Sequence, residues 1–298
     1  MAWNYLSPAL SLLTHPGNVP EKYMSNLKYI FPRVIRHFLP EAAVNFLLKH
    51  SLIIQPGLET LSPEKAVNRY LDILKLQKLS LNEKRVMVFG YGGNLTIGCL
   101  LLEVGARQVV LCERKGFSDE LPVNELHERY PQYFIKKADQ YTLNPQYIDI
   151  YHDDIVNLAA NRSFDKIDLV LSTSVFEHLK EPELVIKTLA QITNPNGNQL
   201  HFIDLRDHFF KYPFEMLCYS KSIWESWLNP TSNLNRLRIS NFRNLFNRYF
   251  SKTEIVADEY DQDNFSIMRA RIQEQFISGD EREDSTTQIH LIASIPKK

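Results

Sequence analysis

The chain has little of what marks several classes of protein. Only three of its 298 residues are cysteines, at positions 99, 112 and 218, and their spacing fits no zinc site. Cys99 and Cys112 lie inside apolar runs, so we expect buried thiols in a reducing compartment. The formal net charge is -1, which argues against a general surface for nucleic acid. We therefore expect no nucleic-acid partner.

Long hydrophobic runs are also missing. No stretch approaches the ~20 apolar residues of a membrane span, and the apolar residues 10–13 are too few for the core of a signal peptide. Residues 46–54 are strongly apolar, but Lys49, His50 and Ser51 interrupt them. We expect a helix in the protein core there rather than one on a membrane surface. The sequence thus predicts a cytoplasmic protein without a membrane partner, and it does not indicate an oligomeric state.

What the chain does have is a nucleotide-binding pattern at residues 86–113. The apolar run 86–89 ends on Gly90-Tyr91-Gly92-Gly93-Asn94, a helical run follows, and the apolar run 108–112 ends on Glu113. This is the layout of a buried parallel strand, a tight turn, a crossover helix and a second strand. Glycines let backbone N–H groups approach a ligand at the helix N-terminus. Glu113 is placed to accept hydrogen bonds from a ribose diol.

Residues 1–80 form a helical segment before the first strand. Prolines divide it into short helices, at positions 16, 20, 32, 40, 56 and 63. Ser62-Pro63-Glu64 is typical of a helix start, and we expect that helix to continue to about Leu79. The segment is either a cap or lid over a ligand crevice or plain packing against the sheet. We predict two units, this cap and a domain over residues 81–298.

Strands and helices alternate through the middle of the chain, which predicts a parallel sheet with right-handed crossovers. The predicted elements are a helix near 123–129, strands at 147–151 and 167–171, a helix over 174–193, a turn at 194–197 and a strand at 200–204. An insertion within about residues 205–250 breaks the rhythm. It is followed by strands at 252–256 and 288–293, separated by a helix near 265–276.

Four elements in this order resemble a class I S-adenosylmethionine (SAM) dependent methyltransferase: the glycine turn, Glu113, an acid after strand three, and Asp-Leu-Val-Leu-Ser-Thr-Ser-Val-Phe-Glu-His-Leu at residues 168–179. The resemblance covers roughly residues 83–204. It implies an α/β, Rossmann-like sheet of seven strands, mainly parallel with an antiparallel last strand, here with an N-terminal helical cap and an insertion after strand five. It also implies SAM as cofactor, with S-adenosylhomocysteine (SAH) as product.

The resemblance assigns the cofactor residues one by one. Gly90, Gly92 and Asn94 would border the methionine part of SAM, and Glu113 would hold the ribose hydroxyls. Asp154 would face the adenine amino group beside Ile155. Ser172 and Thr173 would line the floor near the sulfonium, and Tyr91 and Arg114 complete the predicted cofactor set.

Two positions depart from the family pattern. Val88 stands where the family usually has an acid, two residues before the first glycine, and Asn94 replaces the third glycine. Two other interpretations stay open: a NAD(P)-dependent Rossmann oxidoreductase, against which Leu95 stands where a small residue is needed, and a SAM-binding protein without turnover, which Val88 favours.

A base is needed only if the methyl acceptor is protonated. The candidates near the strand ends are His152, His178, Asp204 and His208, among which we single out His208 and His178 as catalytic candidates. The pair Glu177-His178 is similar to the Glu-His of metal-dependent methyltransferases of ubiquinone synthesis and small-RNA ends. Ser174 stands where those enzymes have a further acid, so we expect no metal site. Ser174 is instead expected to begin the helix.

The insertion is where we expect acceptor specificity. Arg206 and Lys211 interleave with Phe209 and Tyr212, which suits an acceptor with an anionic group and an apolar body. The alternative is an amphipathic cover with solvated bases. The sequence predicts O-methylation, at a carboxylate or a hydroxyl, of a small or peptide-like metabolite, as in stand-alone tailoring enzymes of secondary metabolism.

Overall fold

The computed structural model describes residues 21–49, 58–114, 123–138, 140–161, 164–209 and 211–297. The predicted signal-peptide test segment 10–13, most of the apolar residues 50–54 and Phe210 lie outside the described residues. All statements below concern the described part of the chain.

The helices and strands follow one another in the alternating order that the sequence predicts. In the first third of the chain they are α1 (Glu21–Phe38), α2 (Glu41–Lys49), α3 (Leu58–Leu61), α4 (Pro63–Leu76), β1 (Arg85–Phe89), α5 (Thr96–Glu103) and β2 (Gln108–Cys112). In the middle they are α6 (Val123–Arg129), β3 (Phe134–Lys137), β4 (Gln140–Leu143), β5 (Ile148–Tyr151), α7 (Ile155–Ala160), β6 (Ile167–Thr173), α8 (Pro182–Ile192) and β7 (Thr193–Asp204). The last are α9 (Lys221–Ile223), α10 (Ile239–Tyr249), β8 (Phe250–Tyr260), α11 (Gln262–Met268), α12 (Glu281–Asp284) and β9 (Thr286–Pro296).

Seven strands form one sheet in the order β5-β2-β1-β6-β7-β9-β8. The pairs from β5 to β7 are parallel, whereas β9 runs antiparallel to both of its neighbours. All five residues of β1 are buried, as expected for a central strand covered on both faces. The predicted seven-stranded, mainly parallel Rossmann-like sheet with an antiparallel last strand is confirmed.

Two hydrophobic clusters cover the two faces of this sheet. The first joins Tyr70 and Leu74 of α4 to α5 and to one face of β1 and β2. The second joins α8 and α10 to the other face, with Phe242 and Phe246 fully buried. The helix before the first strand is therefore part of the main core, because its inner residues pack directly on the sheet side of the domain.

A third cluster lies between the segment 205–238, which separates β7 from α10, and parts of the chain distant in sequence. Trp224 and Leu228 of that segment pack with Phe265 and Met268 of α11. Ile30 and Val34 of α1 pack against the same cluster. The insertion is thus held between the first described helix and the segment after β8.

Several predicted boundaries are wrong. Pro32 lies inside α1 instead of ending a helix, because packing of the neighbouring residues against the insertion outweighs the local preference. Ser174 begins no helix: its φ is +54°, a short 3-10 turn follows at Phe176–His178, and α8 starts only at Pro182. α4 ends at Leu76 rather than near Leu79.

Two further differences concern the strands. β7 begins at Thr193, so the predicted turn at 194–197 is part of that strand, with a shift in register against β6 between Ile167 and Leu169. The hairpin formed by β3 and β4 was not predicted. Its strands are polar and short, so they carry no clear alternation of apolar and polar residues.

Candidate active site

The sequence-predicted residues gather at one edge of the sheet, where the parallel strands β1, β2, β5, β6 and β7 end. Since the carboxyl ends of neighbouring parallel strands meet there, the loops that follow them form one crevice. Each of these loops carries at least one of the predicted cofactor or acceptor residues.

The turn after β1 is built on glycines with positive φ. Gly90, Gly92 and Gly93 have φ values of +79°, +66° and +85°, a region that side chains with a Cβ rarely adopt. The N–H of Gly92 donates to Oε2 of Glu113 at 3.3 Å. The carboxylate at the end of β2 therefore lies directly beside the turn, as the nucleotide-binding pattern predicts.

Asn94 has a different role from the glycine that it replaces. It is not among the positive-φ residues of the described chain, since Gly93 takes that conformation. Its side chain instead accepts a hydrogen bond from the N–H of Thr96 at 3.0 Å and donates to the carbonyl of Thr60 at 2.9 Å. Asn94 thus ties the first turn of α5 to the short helix α3.

The other cofactor residues on this side have defined positions. Tyr91 is buried, with its ring 6.5 Å from that of His152, while Arg114 is exposed just after Glu113. Asp154 is the N-cap of α7 and accepts a hydrogen bond from the N–H of Val156 at 2.9 Å. Ile155 is buried next to it. One oxygen of the half-buried Asp154 carboxylate is used by this cap, which fixes the side chain at the crevice.

Ser172 and Thr173 at the end of β6 face different partners. The hydroxyl of Ser172 is fully buried and lies 2.8 Å from Nδ1 of His201. The hydroxyl of Thr173 lies 3.0 Å from that of Tyr70 in α4. Thr173 is therefore the one of the two whose hydroxyl is linked to the helices over the crevice, whereas the hydroxyl of Ser172 is engaged with the strand β7.

Glu177, His178 and His208 come together although His208 lies far along the chain. One ligand-type atom from each lies within 4.8 Å of the others, and the two imidazole rings are 4.9 Å apart at 75°. Among the described residues, neither carboxylate oxygen of the buried Glu177 has a hydrogen-bond partner. These donor types fit a divalent cation, so the prediction that this chain has no metal site stays open to test.

Burial and neighbouring charge set the protonation of this group. Burial, reinforced by the negative charge of Asp204, raises the pKa of Glu177 well above its ordinary value. Desolvation lowers the pKa of His178. Desolvation, followed by the charge of His178, also lowers the pKa of His208, although the residue as a whole is exposed. Both imidazoles are therefore neutral at neutral pH, which leaves each ring one nitrogen that can accept a proton.

The predicted acceptor residues divide into two groups. Arg206 is already paired, with Nη2 at 2.7 Å from the Asp204 carboxylate and Nη1 at 3.8 Å from Glu259. Phe209 and Tyr212 stack on each other at 6.3 Å. The exposed Lys211 lies with its ammonium group 5.9 Å from the Tyr212 ring.

Three residues of the site were missed in the sequence. Glu59 and Thr60 in α3 lie against the glycine turn, and Tyr70 hydrogen-bonds to Glu59. Tyr70 was predicted only as part of the inner face of its helix. A tyrosine on an apolar face is a weak signal for a buried polar partner, while nothing in the local pattern marks Glu59.

Comparisons with known proteins agree with this fold. A family model described as a methyltransferase domain matches residues 129–200, which include β5, β6 and the Glu177-His178 turn. A search of the curated proteins found no match.

Solved structures are also similar. Phosphoethanolamine N-methyltransferase 2 of Haemonchus contortus, in complex with S-adenosyl-L-methionine, is 12% identical with a TM-score of 0.44 over 77% of this chain and 53% of that one. The CMeT domain of the citrinin polyketide synthase is 12% identical with a TM-score of 0.45 over 78% and 52%. The chain therefore spans about half the length of these two proteins.

The matched domain, the sheet order and the four sequence elements together define the class. The chain is a SAM-dependent methyltransferase with a class I, Rossmann-like fold, and its cofactor is SAM. No comparison supports the dinucleotide oxidoreductase. No helix among the described residues is long and apolar enough to cross a membrane.

Proposed function

We propose that this methyltransferase transfers the methyl group to an oxygen of a small or peptide-like metabolite, and that His178 and His208 serve a hydroxyl acceptor. The observation that carries the proposal is the pairing of these two imidazoles at the crevice, 4.9 Å apart. A hydroxyl acceptor needs a base, whereas a carboxylate does not. The carboxylate is therefore the alternative acceptor of the same reaction class.

His178 is held in one orientation by the backbone. Its Nδ1 lies 2.7 Å from the carbonyl oxygen of Asn233. A carbonyl only accepts, so Nδ1 carries the hydrogen and Nε2 keeps its lone pair in the neutral ring. The side chain of Asn233 in turn donates to the carbonyls of His178 and Leu179, each at 3.1 Å. Asn233 therefore acts as a positioning residue for the imidazole.

The proposed reaction is a direct displacement. SAM supplies an electrophilic methyl carbon, and its carbon–sulfur bond breaks as the acceptor oxygen forms the new carbon–oxygen bond. The electron pair of the broken bond stays on sulfur, and the proton of the acceptor hydroxyl passes to an imidazole nitrogen of His208 or His178. The remaining residues align the acceptor and exclude water.

The insertion is the proposed acceptor-binding segment. Phe209 and Tyr212 offer stacked rings for an apolar body, and Lys211 offers a positive charge beside them. Arg206 is less available for an anionic group than the sequence suggests, because Asp204 holds it in a bidentate pair. Within this proposal the helices before β1 form the cap of the crevice, and the enzyme acts as a stand-alone tailoring enzyme of secondary metabolism in the cytoplasm.

Methyl-labelled SAM with a panel of phenols, aliphatic hydroxy acids and simple carboxylic acids tests the proposal. Labelled product that resists mild base is an ether and supports a hydroxyl acceptor, while label released by base marks an ester. For a hydroxyl acceptor, His208→Ala and His178→Ala should each lower kcat by roughly 10²- to 10⁴-fold, the usual worth of a positioned base.

His127→Ala is the matched control, since this imidazole stacks on Tyr141 away from the crevice and should leave kcat unchanged. Methyl transfer to nitrogen or carbon, or full activity in both histidine variants with a hydroxyl acceptor, would contradict the proposal.

A further inference from the structure

The short helix α3 lies directly on the glycine turn. The hydroxyl of Thr60 donates to the carbonyl of Gly92 at 3.0 Å, and the side chain of Asn94 donates to the carbonyl of Thr60 at 2.9 Å. These two hydrogen bonds fix α3 on the part of the turn that the resemblance assigns to the methionine end of SAM. The neighbouring residue, Glu59, is only 2% exposed.

The carboxylate of Glu59 is held between the helices and the sheet. Tyr70 donates its hydroxyl hydrogen to Oε1 of Glu59 at 2.7 Å, and the same hydroxyl lies 3.0 Å from that of Thr173 at the end of β6. Glu59 is thereby tied to two sides of the crevice. One is the turn after β1, through Thr60, and the other is the end of β6, through Tyr70.

Glu59 has no cation to balance it. Among the described residues, no Lys, Arg or His side chain forms a salt bridge with it. Arg69 is the nearest positive charge that acts on its pKa, but the guanidinium lies 3.4 Å from Asp258 and 3.7 Å from the centre of the Phe202 ring. A buried carboxylate without a cationic partner is costly, so a cationic ligand would stabilise this site.

The surrounding charge is also negative. Burial is the main reason why the pKa of Glu177 is raised, and the negative charges of Asp204 and Glu59 add to it. Arg206 pairs with Asp204, but Glu177 has no hydrogen-bond partner among the described residues. The crevice therefore favours a ligand that brings positive charge, and SAM carries an ammonium and a sulfonium.

We propose that Glu59 binds the ammonium of the methionine moiety of SAM. The turn after β1 lacks an acid at Val88, so the partner for this ammonium comes instead from a helix before the sheet. The inference rests on the cofactor assignment and deepens it, because it names a specificity residue that no local motif indicates. In this arrangement α3 recognises the cofactor as well as covering it.

A cycle of two changes tests the pairing directly. Calorimetry measures the affinity of wild-type protein and of Glu59→Gln for SAH and for deamino-SAH, in which hydrogen replaces the amino group. We expect Glu59→Gln to weaken SAH binding roughly 10- to 100-fold, the range for a hydrogen bond between charged groups. Wild-type protein should lose a similar factor for deamino-SAH, and Glu59→Gln should discriminate between the two ligands by no more than about twofold.

The control and the conservative variant keep the test decisive. Glu64→Gln removes an exposed carboxylate from the next helix and should bind SAH like the wild type. Glu59→Asp keeps the charge and should retain part of the preference for SAH, and it serves as the test if Glu59→Gln does not fold.

Equal discrimination between SAH and deamino-SAH in the folded Glu59→Gln variant and the wild type would overturn the inference. So would an unchanged affinity of that variant for SAH. If the folded wild type binds neither ligand, the cofactor assignment itself fails, which is a different result from loss of the Glu59 contact alone.

Discussion

Nδ1 of His178 lies 2.7 Å from the carbonyl oxygen of Asn233, across the boundary between the turn after β6 and the insertion. This contact predicts a single neutral tautomer with the hydrogen on Nδ1. Nitrogen-15 NMR of the imidazole should show that tautomer at pH 6.5. Because burial lowers the pKa of His178 below 6.5, protonation should begin only at more acidic pH than for a free histidine.

The same spectrum of Asn233→Gly provides the comparison, since glycine tolerates the φ of +60° found at this position. The backbone carbonyl remains in this variant, but the side-chain bonds to His178 and Leu179 are lost. We expect the tautomer to become mixed. A His178 that titrates near pH 6.5 in the wild type would show that the ring is not held as described.

A second prediction concerns the group formed by Glu177, His178 and His208. In the proposed reaction the imidazoles accept a proton, so a divalent metal is not required. Protein treated with a chelator should keep its melting temperature and turnover, and added Mg²⁺, Mn²⁺ or Zn²⁺ should raise neither. A cation that binds the native state at 100 times its Kd would add about 2.7 kcal/mol of stability. A melting shift of that order, absent in Glu177→Gln, would reassign the three residues to a metal site.

A third prediction follows from the contact between Gly92 and α3. A Cβ built on Gly92 would lie 2.1 Å from the hydroxyl oxygen of Thr60, and the φ of +66° also disfavours a side chain. Gly92→Ala should therefore displace α3 and weaken SAH binding in calorimetry. Adding Thr60→Ala removes the clash but not the backbone strain, so the double variant should recover only part of the affinity. No recovery would show that the strain of the turn, and not the position of α3, controls binding.

A fourth prediction concerns the attachment of α1 to the insertion. Arg33 and Asp207 form a fully buried ion pair, and Tyr29 also donates its hydroxyl hydrogen to Asp207. Asp207→Asn leaves a buried guanidinium without its charge partner and should lower the free energy of unfolding by about 3–5 kcal/mol. Glu64→Gln, which removes the exposed pair with Arg129, should change it by less than about 1 kcal/mol. Similar small values for both variants in urea denaturation would contradict the structural role of the buried pair.

The sequence predicts the parts of the site that follow strands. The glycine turn, Glu113, Asp154 and Thr173 each end or follow a strand, so the parallel topology brings them to one edge whatever the details of packing. Their predicted positions in the fold agree with the structure, and their contacts with SAM remain predictions.

The rest depends on contacts between segments far apart in the chain. Glu59 meets Tyr70 and Thr173, and His208 meets His178, only through tertiary packing, which leaves no period or spacing in the sequence. Ser174 shows the limit of local rules, because a serine before apolar residues is typical of a helix start, yet here it has a positive φ and the helix begins later.

The most direct test of the account is the titration of SAH into wild-type protein and into Glu113→Ala, with NAD as the competing nucleotide. We predict that wild-type protein binds SAH and not NAD. Loss of the ribose contact in Glu113→Ala should weaken SAH binding by about 1.5–3 kcal/mol, while Glu128→Ala, an exposed residue of α6, should not. Binding of NAD without any heat from SAM or SAH would contradict the central claim, and an unchanged affinity in Glu113→Ala would show that the ribose contact is misassigned.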